Sequence, residues 1–304
     1  NTTTHNFAAE VKLSGKENDL LLNGNYTMIP EEDPQLDLNL IINKLPMQTV
    51  EALSMNTLSR TNGYLTGNLN IGGHTSEPSV TGELNFHKAM FSPYMLGADF
   101  AVDNETIRFT GEGISFSNFD VKDSTGNTLT IDGMALTEDF QEFELQLNIT
   151  ANDFQALNST KKQNGLFYGR LFFDTKLEVS GSATNPVVNG TLKINDKTDF
   201  TIVLPDNEPG IADRKGIVKF VDMDSVSVDS TWSVTSFEEL NTTEFKGIEL
   251  AVNIEADKEA AFNIIIDEGN GDYIKMQGLA ELAANIDKSG KVSLTGAYEI
   301  EKGE

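Results

Sequence analysis

The chain has 304 residues, a formal net charge of −25 and no cysteine. This charge excludes a nucleic-acid-binding protein, which needs a basic surface, and it argues against direct adsorption to an anionic membrane. Without cysteine there is no disulfide framework and no thiolate metal site, and no stretch reaches the roughly 18 apolar residues of a membrane-spanning helix. The chain begins inside a strand-like pattern and lacks a signal peptide, so we interpret it as a fragment whose anchor lies outside it.

The first part of the chain predicts strands, turns and one helix. Leu36–Ile42 places an apolar residue at every second position, which is typical of a strand with one apolar and one polar face. Pro46–Leu53 is the best helix candidate, because proline is tolerated at the first helical position. Two Asn-Gly pairs, Asn23–Gly24 and Asn62–Gly63, predict turns.

The middle of the chain continues the strand pattern. Phe143–Ile149 has the cleanest alternation in the protein. A second short helical piece is predicted at Asp153–Leu157, with Asn152 as its N-cap. Four short strands are predicted before it: Phe100–Val102, Ile107–Phe109, Ile114–Phe116 and Leu129–Ile131.

The last hundred residues return to alternation. Leu279–Ile286 could be a helix from its alanine and leucine content, but we predict a strand because Asp287–Gly290 is typical of a hairpin turn leading into Val292. The other predicted strands are Phe200–Val203, Ile217–Val221, Ile248–Ile254, Phe262–Ile266, Ile274–Met276 and Val292–Leu294.

One stretch of the sequence occurs twice. Leu69–Phe86 and Leu177–Ile194 both predict a strand, a turn with glycine and proline, and a second strand, and eight positions match at a constant offset of 108 residues. The preceding strand and helical piece also recur at an offset of 107. We therefore predict an internal repeat over about residues 36–86 and 143–194, within a single elongated unit that covers residues 1–304.

These patterns predict an all-β fold with one or two short helices. A sheet with one apolar face must cover that face, usually with helices or a second sheet. This chain offers almost no helix for the purpose, so either the apolar faces meet each other or a ligand fills them. The first case gives a closed sandwich or solenoid core without a ligand, and the second gives an open binding groove.

The sequence contains no recognisable catalytic or cofactor motif. It lacks a phosphate-binding loop, a dinucleotide fingerprint, a nucleophile elbow and a zinc-protease helix. The three histidines, His5, His74 and His87, are scattered and have no partner at metal-ligand spacing. Asp267–Asp272 resembles a calcium loop in composition but lacks its spacing, so a hairpin turn is the better interpretation. We predict no catalytic residue, no metal and no cofactor, and hence no enzyme.

The repeated stretch resembles the TamB family, the periplasmic subunits of the translocation and assembly module, in the form found in Bacteroidota. The resemblance is to the AsmA-like, bridge-like lipid transfer proteins more broadly, and it places the chain as a fragment that precedes the family's C-terminal domain. It covers residues 60–304 well and the first sixty loosely. The residues that carry it are Leu69–Phe86, Asp123–Gly133, Leu177–Ile194, Thr198–Pro205, Gly216–Asp222 and Gly290–Ile300.

The resemblance implies a β-taco, an elongated, curled, antiparallel-rich sheet whose concave apolar face forms an open trough. It also implies a protein of the Gram-negative periplasm that is anchored in the inner membrane and meets an Omp85-type barrel at the outer membrane. Phospholipid acyl chains would be its ligand. The predicted groove residues are Leu36, Leu38, Leu40, Ile42, Leu69, Ile71, Val80, Leu84, Phe86, Ile107, Phe109, Leu129, Ile131, Phe143, Leu145, Leu147, Ile149, Leu177, Val179, Val188, Leu192, Ile194, Leu250, Val252, Ile254, Phe262, Ile264, Ile266, Ile274 and Met276.

Three functions therefore remain open at this point. The first is a lipid-conducting bridge between the inner and outer membranes that supports outer-membrane assembly. The second is a chaperone-like scaffold that handles unfolded outer-membrane β-barrel proteins by strand addition, with an Omp85-type partner. The third is a purely structural β-solenoid or adhesin.

Overall fold

The computed structural model describes residues 4–203, 247–267 and 269–303. These residues form 17 strands and one helix, and all the strands join one sheet, which confirms the predicted all-β class. The elements are β1 (His5–Gly15), β2 (Asn18–Met28), β3 (Gln35–Pro46), α1 (Met47–Leu53), β4 (Leu58–His74), β5 (Pro78–Pro93), β6 (Phe100–Val102), β7 (Thr106–Thr110), β8 (Gly113–Lys122), β9 (Thr128–Leu136), β10 (Glu144–Ser159), β11 (Phe167–Ser182), β12 (Asn185–Ile194), β13 (Asp199–Val203), β14 (Glu249–Ala256), β15 (Ala261–Asp267), β16 (Asp272–Ile286) and β17 (Val292–Gly303).

The strands follow one another across the sheet in chain order. β6 and β7 share one position between β5 and β8, β12 and β13 share the next position after β11, and β14 and β15 share the position before β16. Neighbours are antiparallel except where β14 and β15 run parallel to β12 and β13. At a spacing of about 4.8 Å per strand, these positions make the sheet roughly 60 Å long across its strands.

The strand registers place apolar residues on one face. Leu40 lies opposite Leu22 and Leu69 in its two neighbouring strands, and Ile149 lies opposite Ile131 and Leu177. Residues directly opposite each other in antiparallel strands point to the same face of the sheet. The large aliphatic side chains therefore form one continuous surface, here called the apolar face, and the alternate residues form the polar face.

Glycines inside the strands bend the sheet. Gly82 of β5 and Gly190 of β12 have φ of +129° and +147°, and a Cβ at either position would overlap the carbonyl oxygen of the neighbouring strand, at Asn68 and Lys176 respectively. Only glycine fits such a close backbone approach, and glycine kinks of this kind are how large sheets acquire curvature. The two glycines are equivalent in the 108-residue repeat, so both copies bend at the same place.

The structure corrects the prediction of a second helix. Asp153–Leu157 belongs to β10, where register shifts between Ala151 and Phe154 and between Gln155 and Leu157 mark two bulges. The bulges allow Phe154 and Leu157 both to be buried, although their spacing is that of a helix. The first helix is confirmed as α1, with Pro46 as its N-cap and not as its first helical residue.

Turn predictions had mixed outcomes. Asn23–Gly24 and Asn62–Gly63 are not turns, because they lie within β2 and β4 at a glycine kink and a register shift. Leu279–Ile286 is confirmed as strand, and the Asp287 carboxylate accepts hydrogen bonds from the backbone of Ser289 and Lys291 in the following hairpin turn. The predicted hairpin between β15 and β16 is also confirmed, whereas the strand predicted at Ile217–Val221 lies outside the described residues.

Candidate functional site

Twenty-eight of the thirty predicted groove residues are placed on the apolar face by the strand registers. The other two are Phe143, which directly precedes β10, and Ile266, which lies at a register shift in β15. Most are half-buried, while Ile42, Ile194 and Val252 are buried. Their contact with lipid remains a prediction, but their placement on a single face is a property of the fold.

One long margin of the apolar face is filled by side chains. Three apolar clusters lie along it, and we call this the closed margin. The first cluster surrounds Met47 of α1, which packs on Leu65, Ala89 and Phe119. Because α1 lies against the apolar face, it covers the first part of this margin in the absence of a second sheet. The three clusters have as buried members Met47, Leu65, Ala89, Val102 and Phe119; Ala98, Phe100 and Phe154; and Ile194, Ala256, Ala260 and Ala280.

Phenylalanine rings pack against one another within the first two clusters. Phe86 and Phe119 meet edge to face at 5.4 Å between centroids, and Phe100 stacks on Phe154 at 5.6 Å. Phe154 in turn lies 6.1 Å from Phe173. Such pairs add about 0.5–1.5 kcal/mol each to the free energy gained by burial alone. These ring contacts therefore stabilise the closed margin of the sheet.

Sequence reasoning missed most of this margin. Phe119 lies after a bulge in β8 and so falls out of the simple alternation, and Phe154 was assigned to a helix. Phe173 lies opposite Phe154 on β11. The signal that could have found them is the recurrence of phenylalanine close to the same end of successive strands, a pattern that does not depend on period.

The opposite margin of the apolar face, here the open margin, is less covered. It contains the ends of the strands near the hairpin turns between β4 and β5 and between β11 and β12. Leu36, Ile71, Val179 and Val188 are all half-buried there and not enclosed. An apolar surface that stays in contact with water in a folded chain is a typical binding surface.

The apolar face is most exposed at the two ends of the sheet. Val11 and Leu13 of β1 are 59% and 53% exposed, and Leu294 and Ile300 of β17 are 58% and 60% exposed. Within the described residues each of these strands pairs with one neighbour only. The apolar surface therefore runs without interruption from one end of the described sheet to the other.

Charges lie along the rims and the polar face. Asp33 accepts hydrogen bonds from Thr75 and from the backbone and hydroxyl of Ser76 at the open margin, and the Ser76 hydroxyl is the main cause that lowers the Asp33 pKa. Burial raises the pKa of the Tyr298 phenol, whose ring packs edge to face on Phe262 of the apolar face. These directions match a polar rim around an apolar interior.

Within the parts of the chain that the structure describes, no group of three or more His, Asp or Glu side chains is arranged to hold a metal ion. His74 bonds to the Asp33 carbonyl oxygen, and His87 stacks on Tyr64. No described helix is long and apolar enough to span a membrane.

The family model of the TamB C-terminal domain matches residues 117–304, which is more than half of the chain. The chain belongs to the TamB family. No curated protein and no solved structure matches it. The match corrects one expectation, because the sequence had been placed before the C-terminal domain of the family, whereas residues 117–304 lie within it. TamB-family membership makes this a protein of the Gram-negative envelope, with a general role in outer-membrane assembly and lipid transport.

Proposed function

We propose that the apolar face is a trough that shields phospholipid acyl chains during transit between the inner and outer membranes. One observation carries this proposal. The apolar face is continuous across the whole described sheet, and the apolar side chains at its open margin are only half-buried in the protein. A solenoid core would enclose these side chains on both margins. Here the closed margin is filled, whereas the apolar side chains of the open margin stay only half-buried.

The energetics favour a trough over a single deep pocket. A diacyl lipid with about 32 methylenes would lose on the order of 25 kcal/mol if its tails entered water, at about 0.8 kcal/mol per methylene. A uniform apolar strip keeps the tails dry and offers no residue-specific contact that would hold the lipid at one place. Most side chains of the strip described here are aliphatic or phenylalanine.

We further propose that residues 1–304 act as one elongated unit, with the repeat over residues 36–86 and 143–194 extending a single trough. The two repeated hairpins pair in the same register, since Leu69 lies opposite Gly82 and Leu177 opposite Gly190. In this proposal the inner-membrane anchor and the Omp85-type barrel lie at the two ends of the path.

Lipid occupancy tests the trough directly. The fragment is purified without detergent, extracted with organic solvent and analysed by mass spectrometry. We expect about one or more phospholipids per chain, and a preparation that takes up no phospholipid, even after incubation with lipid vesicles, would contradict the conduit.

A matched pair of substitutions on β10 separates the two faces. Leu147 is on the apolar face opposite Val179, and the adjacent Gln146 is exposed on the polar face opposite Ser180. We expect Leu147→Asp to reduce bound lipid at least about tenfold, because a charge in an apolar strip is strongly unfavourable, while Gln146→Asp leaves occupancy unchanged. Equal losses in the two variants would show that the faces are wrongly assigned.

The edge of β17 favours a second candidate, a scaffold that receives unfolded outer-membrane strands. Within the described residues β17 pairs with β16 alone, and its Leu294 and Ile300 are exposed. A free strand edge can accept another chain by backbone hydrogen bonding. Photo-crosslinkers at Thr295 should capture nascent barrel proteins if this candidate is correct, and crosslinkers at Leu147 should capture lipid if the conduit is correct.

A further inference from the structure

The polar face carries one cleft whose charge is opposite to that of the molecule. It has a volume of about 1120 Å³ and lies beside α1, where it brings together Lys16, Lys44 and Lys88. Its lining contains one acidic residue, Glu17, although acidic residues outnumber basic ones by 47 to 22 in the chain. We call it the basic cleft.

The floor of the basic cleft is ordered by several contacts. Lys44 forms an ion pair with Glu17 at 2.5 Å, and its Nζ lies 5.2 Å from the centre of the Tyr64 ring. Tyr64 stacks on His87 at 4.7 Å, and the His87 Nε2 lies 2.7 Å from the Thr66 hydroxyl. Lys44 therefore has its partners within the cleft, and the two stacked rings give the floor a flat surface.

The other two lysines differ from Lys44. Within the described residues, neither Lys16 nor Lys88 has a carboxylate oxygen within 4.0 Å of its ammonium. Both line the cleft, so two positive charges face it without an ion-pair partner. A local charge of this kind attracts an anion, and ammonium groups bind phosphate oxygens through charge-assisted hydrogen bonds.

The backbone at these lysines is unusual. Lys16 and Lys88 both have φ of 48°, and Glu17 has φ of 68°. Lys16 and Glu17 form the two-residue turn between β1 and β2, where Asn-Gly would adopt such angles with less strain. The sequence thus keeps charged side chains at positions where glycine would suit the backbone better.

We propose that the basic cleft binds a phosphate-bearing anion. Lys16 and Lys88 would hold the phosphate, the amides of Asn62 and Asn104 line the same cleft, and the Tyr64 ring would support the organic part of the ligand. This site lies on the polar face, so it does not depend on lipid in the trough. The phosphate could belong to a soluble phosphate ester or to the headgroup of a lipid in a membrane surface, and the two sources can be distinguished.

The experiment uses the whole 304-residue chain, with inorganic phosphate and glycerol 3-phosphate as soluble probes in calorimetric titrations. The double variant Lys16→Gln/Lys88→Gln removes the two unpaired charges. The matched control, Lys176→Gln/Lys193→Gln, removes two exposed lysines from the polar faces of β11 and β12. We expect at least a tenfold loss of affinity in the first variant and no change in the control.

A second variant should change the affinity in the opposite direction. Glu17→Gln removes the one acidic group of the lining, so glycerol 3-phosphate should bind about threefold more tightly. Flotation with phosphatidylcholine vesicles, with and without phosphatidylglycerol, then identifies the source. Binding to the phosphatidylglycerol vesicles that is lost in the Lys16→Gln/Lys88→Gln variant indicates a headgroup, and binding to the soluble ester alone indicates a soluble ligand. The proposal is overturned if neither the soluble phosphates nor the phosphatidylglycerol vesicles bind, or if the two double variants lose affinity equally.

Discussion

The two copies of the repeat pair their hairpins identically and yet differ in what precedes them. Leu36–Val50 of the first copy aligns with Phe143–Leu157 of the second. In the first copy this segment ends in α1, and in the second it continues as the bulged end of β10. Both solutions bury a side chain almost completely, with Met47 at 4% and Phe154 at 3% exposed. The repeat therefore preserves a buried position and not a secondary structure.

A group of polar side chains beside each hairpin, here called the corner, lies at equivalent positions in the two copies but consists of different residue types. His87 contacts Thr66 in the first copy, and the equivalent residues of the second copy, Asn195 and Asp174, are joined by a hydrogen bond of 2.9 Å. At the next position the first copy has Lys88 and the second has Asp196. One corner is therefore basic and the other acidic, on the same backbone frame.

A lysine lies over an aromatic ring in both corners. Lys44 lies over Tyr64, and Lys197 lies 5.6 Å from the centre of the Phe172 ring. Lys197 also pairs with Asp153 at 2.5 Å, so one carboxylate of the acidic corner has an ion-pair partner within the corner. Within the part of the chain that the structure describes, the basic corner keeps two positive charges without such a partner. The comparison shows that the two copies share the backbone pairing of the hairpin and differ in the charge of the corner beside it.

The largest expected effect tests whether both copies need the same kink. Gly82→Val and Gly190→Val should each lower the free energy of unfolding by at least about 3 kcal/mol, because the new side chain overlaps a neighbouring carbonyl at a positive φ. Chemical denaturation measures this. Gly165→Ala, at a position with open space around it, is the control and should be close to neutral. If Gly82→Val lowered the free energy of unfolding and Gly190→Val did not, the two hairpins would not be structurally equivalent.

The next effect compares the helix with the bulge. Phe154→Ala should lower the free energy of unfolding by about 3–5 kcal/mol and Met47→Ala by about 2–4 kcal/mol, because both leave a cavity in a buried cluster. Thermal and denaturant unfolding of the two variants gives the difference. If Met47→Ala cost less than about 1 kcal/mol, α1 would be a loosely attached cover and not the counterpart of the bulge.

The smallest effect concerns the acidic corner. Lys197 lowers the pKa of Asp153 below its ordinary value of 3.8 by donating a hydrogen bond, and Asp153 is partly buried. A lowered pKa in the folded state stabilises the protein above the ordinary pKa, and this contribution is lost as the pH falls through the folded-state value. Asp153→Asn should therefore destabilise the protein by about 1 kcal/mol at pH 7 and by less below pH 3, measured by denaturation at both pH values.

The apolar face could be predicted from the sequence because alternation is a local signal. Leu145 and Leu147 follow it, and each neighbouring strand repeats it. The kinks could not be predicted in the same way. Asn23–Gly24 has the composition of a turn, but the backbone there passes close to β3 and stays in the strand, a fact that depends on a partner far along the chain.

The closed margin was hidden for a related reason. Bulges change the alternation by one residue, so Phe119 and Phe154 no longer match the pattern of the strand before them. The basic cleft was not predicted either, because Lys16, Lys44 and Lys88 are brought together by three successive strand pairings, β2 with β3, β3 with β4 and β4 with β5. A site assembled across strands leaves no spacing in the sequence to recognise.

The chain-ordered sheet has a consequence for how this protein can reach its compartment. Each strand up to β12 pairs with the strand position before it, and the turn between β1 and β2 spans only Lys16 and Glu17. Closing a short loop costs less conformational entropy than closing a long one. A chain that crosses a membrane N-terminus first can therefore add strand to strand as it emerges. The parallel pairing of β12 with β14 joins residues that are far apart in the chain, such as Val187 and Glu249, and we expect it to be the slow step of assembly.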